Sequence, residues 1–193
     1  MEVLKILNKW WTQESIPDEQ LKARVVFIFK KGATSNIDNY RPISLLNTIT
    51  KIFAGILKNR ISEVIDEHLH KTQYGFRKDR STLHAIHIVR RLIDLGERTR
   101  KTHGERIHLI LLDWEKAFDK VEHEALFEAM ERMNIDKKLI RLTQQLYKNP
   151  QLYVEMEGKQ SGWKRQTTGI RQGCTLSPYL FLIIMTAIFH DVH

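Results

Sequence analysis

The fold of this chain is indicated most strongly by residues 107–119, which read IHLILLDWEKAFD. Ile107–Leu112 is apolar apart from His108, and a nearly continuous apolar run is typical of a central strand covered on both faces. Asp113 follows directly, so a carboxylate stands where the strand ends. We therefore predict a buried strand over Ile107–Leu112, with an acid held at the edge of a cleft.

An acid in this position can hold a metal ion. Mg²⁺ prefers oxygen ligands and shares its coordination shell with phosphates. Phosphoryl transfer on nucleotides commonly uses two such ions, roughly 3.5–4 Å apart. One carboxylate cannot hold both, so other acids must contribute. Taken alone, Asp113 is more simply explained as a strand-end carboxylate that caps the following turn.

The elements on either side of this run alternate between helix and strand patterns. Apolar residues recur every three or four positions from Leu45 to Ile65, which predicts a long amphipathic helix. Further helices are predicted at 3–11, from Ser81 or Thr82 to about Arg100, and at 121–133, 136–147 and 176–192. A strand is predicted at 24–29 and a hairpin at 151–168. The sum is an α+β fold, a small antiparallel sheet backed by helices.

A second constellation is the loop Gly169–Pro178, which reads GIRQGCTLSP. Its two glycines let the backbone approach a ligand closely, and the loop leads directly into a helix. Gln172 offers both donor and acceptor groups. The pattern therefore fits a loop that lies against a nucleotide. It fits equally well any tight turn that binds no ligand.

Two basic segments complete the set. Lys30 and Arg41 stand about ten residues apart across a predicted hairpin, where a forked guanidinium and a point charge can clamp a triphosphate. Gln73–Thr82 interleaves basic and aromatic residues, a pattern that can follow a phosphate backbone and stack on bases.

The charge balance points to an anionic partner. The net charge is +8, and nine basic residues stand against three acidic ones between Lys71 and Lys101. Such an excess favours nucleic acid first and an acidic membrane surface second, and a solvated helix face is the alternative on charge alone. The longest apolar runs fall far below the ~20 residues of a membrane helix, so we expect no membrane partner. The single cysteine, Cys174, excludes an internal disulfide and fits an intracellular protein.

The four motifs together, in this order and spacing, resemble the reverse transcriptases of non-LTR (LINE-type) retrotransposons. Asn39–Leu46 with Lys51–Ile61 is similar to the first fingers motif of that family, and Gln73–Thr82 to the second. Leu111–Asp119 and Thr168–Phe181 are similar to two palm motifs. The resemblance implies the fingers of a right-hand polymerase at residues 1–103 and an incomplete palm at 104–193. Intron-encoded reverse transcriptases more often have Gln-Gly-Gly where this chain has Gln172-Gly173-Cys174.

The resemblance also implies roles for single residues. Asp113 would be the first Mg²⁺ ligand, helped by the carbonyl of Trp114. Phe118 would pack under the incoming sugar and exclude a 2′-hydroxyl, whereas RNA-dependent RNA polymerases usually have a polar acid there. The other implied contacts are Lys30 and Arg41 to the triphosphate, Gln172 and Gly173 to the nucleotide, and Arg77, Lys78 and Arg80 to the template or the triphosphate.

The partners implied are an RNA template, a DNA primer and deoxynucleoside triphosphates, with two Mg²⁺ ions as cofactors. The family also has an aromatic residue followed by paired aspartates beyond its second palm motif, and these 193 residues end before it. We therefore expect an N-terminal fragment that is inactive or nearly so by itself. The alternatives are a nucleic-acid-binding module without catalysis and a remnant without selected function. A nuclear location is expected from the family only, and the sequence indicates no oligomeric state.

Overall fold

The structure, a computed structural model, describes residues 2–104, 106–156 and 158–190. Its helices are α1 (Glu2–Gln13), α2 (Thr48–Ile65), α3 (Thr82–His103), α4 (His123–Arg132), α5 (Lys137–Tyr147) and α6 (Ser177–His190). Its strands are β1 (Ala23–Phe29), β2 (Tyr40–Leu46), β3 (Gln151–Met156), β4 (Lys159–Gln160) and β5 (Lys164–Arg165). This α+β content agrees with the prediction. The predicted ends at Glu157 and Val192 lie outside the described residues.

The strands form one sheet in the order β2-β1-β3-β4, and β5 also pairs with β3. β1 and β2 are antiparallel neighbours, as are β3 with β4 and β3 with β5. The pairing of β1 with β3 is parallel, which the sequence did not indicate. The sheet therefore joins a hairpin from the start of the chain to a hairpin near its end.

The two faces of the β1–β2 hairpin differ in polarity. Val25 and Ser44 are register partners, and both are buried on what we call the inner face. Ile28 and Arg41 are partners on the opposite, outer face, where both are exposed. Alternate residues of a strand point to opposite faces. The hairpin thus buries one side and presents the other to solvent.

Helix α2 begins three residues later than the start of its apolar pattern. The side chain of Asn47 accepts a hydrogen bond from the amide of Ile49, which caps the first turn. Leu45 instead pairs with Arg24 in β2, so the prediction that the helical period starts at Leu45 is wrong. Two consecutive leucines, Leu45 and Leu46, are compatible with the period of a helix and with that of a strand. They form a strand here because β1 provides the neighbouring strand with which they pair.

The chain divides into two compact units. The first comprises Met1–His68 and Lys116–His193, and the second comprises Leu69–Glu115. The first unit holds the sheet and a helical core; the largest of its fully buried side chains include Phe53, Leu57, Leu126, Met130 and Leu180. The predicted division into fingers and palm at residues 103 and 104 is not tested by this grouping and stays a prediction.

The second unit holds α3 and the irregular segment that follows it. No strand forms at Ile107–Leu112 among the described residues, so this prediction is wrong. Ile110, Leu111 and Leu112 are 81%, 85% and 75% exposed. A strand needs a neighbour to satisfy its backbone groups, and no described strand pairs with this segment. The apolar pattern indicates that this segment prefers to be buried, but it does not provide a neighbouring strand with which the segment could pair.

Helix α3 begins at Thr82, as predicted from Ser81, although the Ser81 side chain makes no capping hydrogen bond. It ends at His103, and Gly104 takes the left-handed conformation common after a helix. None of the helices in the described parts of the chain is long and apolar enough to span a bilayer.

Candidate functional site

The β1–β2 hairpin presents the two candidate triphosphate ligands. Arg41 lies opposite Ile28 in the ladder, and the amide of Lys30 donates to the carbonyl of Asn39 at 2.8 Å. Strand alternation therefore places Lys30 on the same outer face as Arg41. Both side chains are exposed. The predicted pair of cations across a hairpin is thus present and open to a ligand.

The connecting loop is held in one conformation by its own side chains. Asn39 donates through Nδ2 to the carbonyl of Ala33 at 2.8 Å, and the hydroxyl of Tyr40 donates to the carbonyl of Thr34 at 2.9 Å. Asn36 accepts a hydrogen bond from the amide of Asp38. These bonds fix the tip of the hairpin beside the two cations.

The Gln172 loop docks on the free edge of β2. The amide of Ser44 donates to the carbonyl of Gln172 at 2.6 Å. Gly173 has a φ of +110°, and a Cβ there would lie 2.7 Å from the Ser44 carbonyl oxygen. Only glycine satisfies both the backbone angle and the contact. The strand that carries Arg41 and the loop that carries Gln172 are therefore joined through their backbones.

The segment that begins at Phe118 joins the same loop from the other side. The amide of Ile170 donates to the carbonyl of Phe118 at 2.8 Å, and the amide of Gly169 donates to the carbonyl of Val121 at 2.8 Å. The ring of Phe118 packs on Phe181 with centroids 5.2 Å apart. The structure thus brings Phe118, Gln172 and Arg41 onto connected elements of one unit.

A buried arginine lies beneath this loop. Arg171 is 4% exposed and donates to the carbonyl of Leu21 at 2.9 Å and to that of Leu146 at 3.4 Å. Its guanidinium carbon lies 5.9 Å from the ring centre of Tyr147. Burial lowers the pKa of Arg171 and raises that of the Tyr147 phenol. Arginine keeps its charge in proteins, so a cation anchors the loop to the turn just before β1 and to the end of α5.

The candidate metal ligands lie in the second unit. Asp113 and Trp114 follow the unpaired apolar segment, and both are exposed. The carboxylate of Asp113 faces solvent rather than an interior, but it does not stand at the end of a strand. The predicted rigid placement of this acid is therefore not observed.

The candidate template contacts are also in the second unit. Lys78 and Arg80 are exposed, and the Arg80 guanidinium lies 5.7 Å from the Tyr74 ring centre. Arg77 is half-buried and donates to the carbonyl of His70 at 3.2 Å. Lys78 and Arg80 are thus open to a phosphate backbone, whereas the hydrogen bond of Arg77 to His70 also stabilises the local turn.

Comparison with known sequences matches residues 28–193 to the family described as reverse transcriptase (RNA-dependent DNA polymerase). The chain belongs to the reverse transcriptase family. The predicted resemblance to the non-LTR retrotransposon branch is confirmed by the relatives that it matches.

Three such relatives come from mobile elements. The Pol polyprotein of the type-1 retrotransposable element R2 of Nasonia vitripennis is 30% identical over 89% of this chain and 16% of its own length. The TX1 transposon protein of Xenopus laevis is 27% identical over 92% of the chain and 13% of its length. The RNA-directed DNA polymerase of the jockey element of Drosophila melanogaster is 28% identical over 86% and 18%. The chain therefore spans less than a fifth of each relative.

A solved structure supports the fold. Apo telomerase from Candida tropicalis, truncated from its C-terminal domain, aligns with 98% of this chain and 44% of its own. The TM-score is 0.50 at 14% identity, so the likeness concerns the fold alone. The predicted polymerase fold is confirmed at this level.

The acids of the described residues do not fit a two-ion metal site. No group of three or more His, Cys, Asp or Glu side chains converges within residues 2–104, 106–156 and 158–190. Asp113 provides one carboxylate, and the Trp114 carbonyl can add one oxygen. Two ions need more acidic ligands than this, so the chemical step cannot be built from these residues.

Sequence reasoning gave no role to two residues that hold the Gln172 loop. The local sequence around Arg171 carries no signal that this residue is buried. His123 contacts the carbonyl of Gly169 through Nε2 at 2.9 Å and lies 4.9 Å from the Tyr147 ring. Neither contact can be found from spacing along the chain, since both bridge distant segments.

Proposed function

We propose that this chain is the nucleotide-binding part of a reverse transcriptase that copies an RNA template into DNA from deoxynucleoside triphosphates, extending a DNA primer. The observation that carries the proposal is the joint between Ser44 and the Gln172 loop. Together with the hydrogen bond from the Ile170 amide to the Phe118 carbonyl, it connects a cationic hairpin, a glutamine loop and the Phe118 segment within one unit. A triphosphate, a base and a sugar need contacts of these three kinds, cationic, amide and apolar, in fixed relation.

The proposed contacts follow from the chemistry of each side chain. Arg41 offers a planar fork to the triphosphate and Lys30 a compact charge. Gln172 and Gly173 line the nucleotide pocket through amide groups and a bare backbone. Phe118, braced by Phe181, places an apolar ring where a ribose 2′-hydroxyl would find no hydrogen-bond partner. The ring therefore favours deoxynucleotides.

Reverse transcriptases work with divalent metal ions, and we propose Mg²⁺ for this one. Asp113 and the carbonyl of Trp114 are the proposed ligands from this chain, with two ions in the complete enzyme. The remaining carboxylates must come from other residues. Arg77, Lys78 and Arg80 are proposed to contact the template backbone.

Nucleotide binding is the direct test of this site. A fluorescent dNTP is titrated into the purified chain, and its anisotropy gives the dissociation constant. Arg41→Ala is expected to weaken binding about ten-fold or more, because charge-assisted bonds to phosphate are the strong ones. Lys9→Ala is the matched control, since it removes a positive charge from another exposed site, on α1. Equal affinities of the two variants would remove Arg41 from the site.

Primer extension tests the enzyme itself. A longer polypeptide that includes this chain is expected to extend a DNA primer on RNA with Mg²⁺, and Asp113→Asn to abolish that activity. The 193-residue chain alone is expected to extend little or not at all. Robust synthesis by the chain alone would contradict the proposed need for further acids.

A second candidate is a nucleic-acid-binding module without catalysis. It is favoured by the exposed Lys78 and Arg80 and by the lack of a converging acidic cluster in the described residues. On this hypothesis Asp113→Ala leaves RNA binding unchanged and primer extension is absent from any longer form. A nuclear site of action belongs to both proposals, and imaging of a tagged chain tests it.

A further inference from the structure

The outer face of the sheet continues from the β1–β2 hairpin onto the second hairpin. Arg24 in β1 is the register partner of Tyr153 in β3. Leu152 pairs with Lys164 in β5, and this register sets Trp163 beside Tyr153. The two rings meet edge to face, with centroids 4.8 Å apart and planes at 68°. Trp163 is nevertheless 51% exposed, so much of its surface is available to a partner.

Cations surround this aromatic pair. The Nζ of Lys22 lies 5.3 Å from the centre of the Trp163 ring. Arg165 is exposed and follows Trp163 by two residues, so it shares the face. It donates to the carbonyl of Lys148 at 3.2 Å, and a guanidinium has five N–H donors in all. We call Lys22, Arg24, Tyr153, Trp163 and Arg165 the Trp163 platform.

Glu155 is an acidic residue on this face, and an ion pair with Arg24 already neutralises its charge. Glu155 lies two residues beyond Tyr153 and pairs with Arg24 at 3.3 Å. Lys22 and Arg165 have no carboxylate partner among the described residues. The platform therefore combines an exposed indole with a net positive charge.

This combination has a preferred partner. Aromatic side chains on a sheet stack on unpaired bases, and nearby cations hold the phosphates between them. A duplex keeps the faces of its bases stacked on each other, so it offers an exposed indole no base face on which to stack. A partner protein would need an acidic surface to meet these charges, whereas a nucleic-acid strand carries a phosphate at every step.

We propose that the Trp163 platform binds single-stranded RNA, with a base on Trp163 and neighbouring phosphates on Lys22 and Arg165. The inference goes beyond the proposed nucleotide site, because it requires neither nucleotide binding nor polymerisation. Stacking is tolerant of sequence, so the contact would follow a strand without selecting it.

Binding of a short, unstructured, fluorescein-labelled RNA to the 193-residue chain tests the proposal. Trp163→Ala is expected to weaken binding about ten-fold, the order expected from losing one stacked base. Trp163→Phe keeps a ring and is expected to restore most of the affinity. Lys22→Gln is expected to lower the slope of log affinity against log salt by about 0.7, the share of one phosphate contact on a single strand.

Met156→Ala is the matched control, since Met156 is also 51% exposed and lies on the same hairpin. It should leave RNA affinity within about two-fold, as expected of a surface change away from the contact. Far-UV circular dichroism checks that each variant is folded. If Trp163→Ala is misfolded, the Phe variant and Lys22→Gln carry the test.

Three results would overturn the inference. The first is an unchanged RNA affinity in folded Trp163→Ala. The second is a wild-type chain that binds no single-stranded RNA, and the third is equal loss of affinity in the Trp163 and Met156 variants. None of them bears on Arg41 and the dNTP assay, so failure of the platform and failure of the nucleotide site are distinguishable.

Discussion

The amide of Ser44 lies 2.6 Å from the carbonyl oxygen of Gln172, and this hydrogen bond joins two motifs far apart in the sequence. One side of the joint is an edge strand with a cation on its outer face, and the other is a glycine loop at the start of α6. Because the contact is made by backbone atoms, it does not depend on the side chains of Ser44 and Gln172, whereas the neighbouring Gly173 has no room for a side chain.

Gly173→Ala should break this joint. The new Cβ would stand 2.7 Å from the Ser44 carbonyl, at a φ of +110°. We expect the free energy of unfolding to fall by about 2–4 kcal/mol, from backbone strain and overpacking together. Urea denaturation followed by circular dichroism measures the loss, and dNTP affinity should fall with it.

Gly158→Ala separates the two causes. Gly158 also has a positive φ, of +75°, but a Cβ there meets nothing within 4 Å. It should therefore cost only the backbone term, about 1–2 kcal/mol. Equal losses in the two variants would show that the contact with Ser44 is unimportant.

Arg171→Met should destabilise the chain although it removes a buried charge. The methionine fills similar space, but the carbonyls of Leu21 and Leu146 lose their guanidinium donor. Leaving buried acceptors unsatisfied costs about 1–3 kcal/mol. Arg91→Met, at an exposed site on α3, is expected to change stability by no more than about 0.5 kcal/mol. A neutral or stabilising effect of Arg171→Met would show that these bonds do not anchor the loop.

The ion pair of Glu14 with Arg141 should make stability depend on pH in acid. The hydrogen bond from Arg141 lowers the pKa of Glu14 below its ordinary value of 4.5. As the pH falls, the Glu14 carboxylate therefore binds a proton at a higher pH in the unfolded chain than in the folded chain. The ion pair thus stabilises the folded state at pH values above 4.5.

That contribution is lost as the pH falls through 4.5 and then through the lowered pKa of the folded state. Urea midpoints of the wild type and Glu14→Gln should therefore differ at neutral pH and converge in acid. Added salt should shrink the difference, because the pair is exposed. A gap that stays constant across this range would argue against the ion pair as its source.

Replacing Lys78 and Arg80 by glutamine should weaken RNA binding and its salt dependence. Both side chains are exposed in the second unit. Two lost phosphate contacts lower the slope of log affinity against log salt by about 1.4 on a single strand. The pair Lys5→Gln and Lys9→Gln on α1 removes the same charge and should leave the slope nearly unchanged. Equal slopes for the two double variants would mean that total charge alone governs binding.

The sequence predicted the helices and the first hairpin well, because these depend on local signals. Asn47 caps α2 beside the apolar residues that mark it, and β1 is rich in the β-branched and aromatic residues that favour strands. The family motifs contain Arg41, Phe118 and Gln172, and the structure brings these residues onto connected elements of one unit, while their roles at a nucleotide site stay predictions.

What the sequence did not predict depends on partners far along the chain. Ile107–Leu112 has the composition of a central strand, but in the described residues no strand lies beside it. The parallel pairing of β1 with β3 and the burial of Arg171 likewise join segments that share no local pattern. A periodic pattern of apolar residues indicates which face of an element is buried. It does not indicate which other segment of the chain packs against that face.

The parallel pairing of β1 with β3 has a consequence for synthesis on the ribosome. Val25 pairs with Val154, so this pairing cannot form until Val154 has been synthesised. At ordinary rates of translation the delay is roughly ten seconds. During that time both edges of the first hairpin are open, because β3 and the Gln172 loop both come later in the chain, and an open edge is a template for association with other nascent chains. Arg24 lies within β1 and is exposed, so its charge can keep neighbouring copies apart until the late strand arrives.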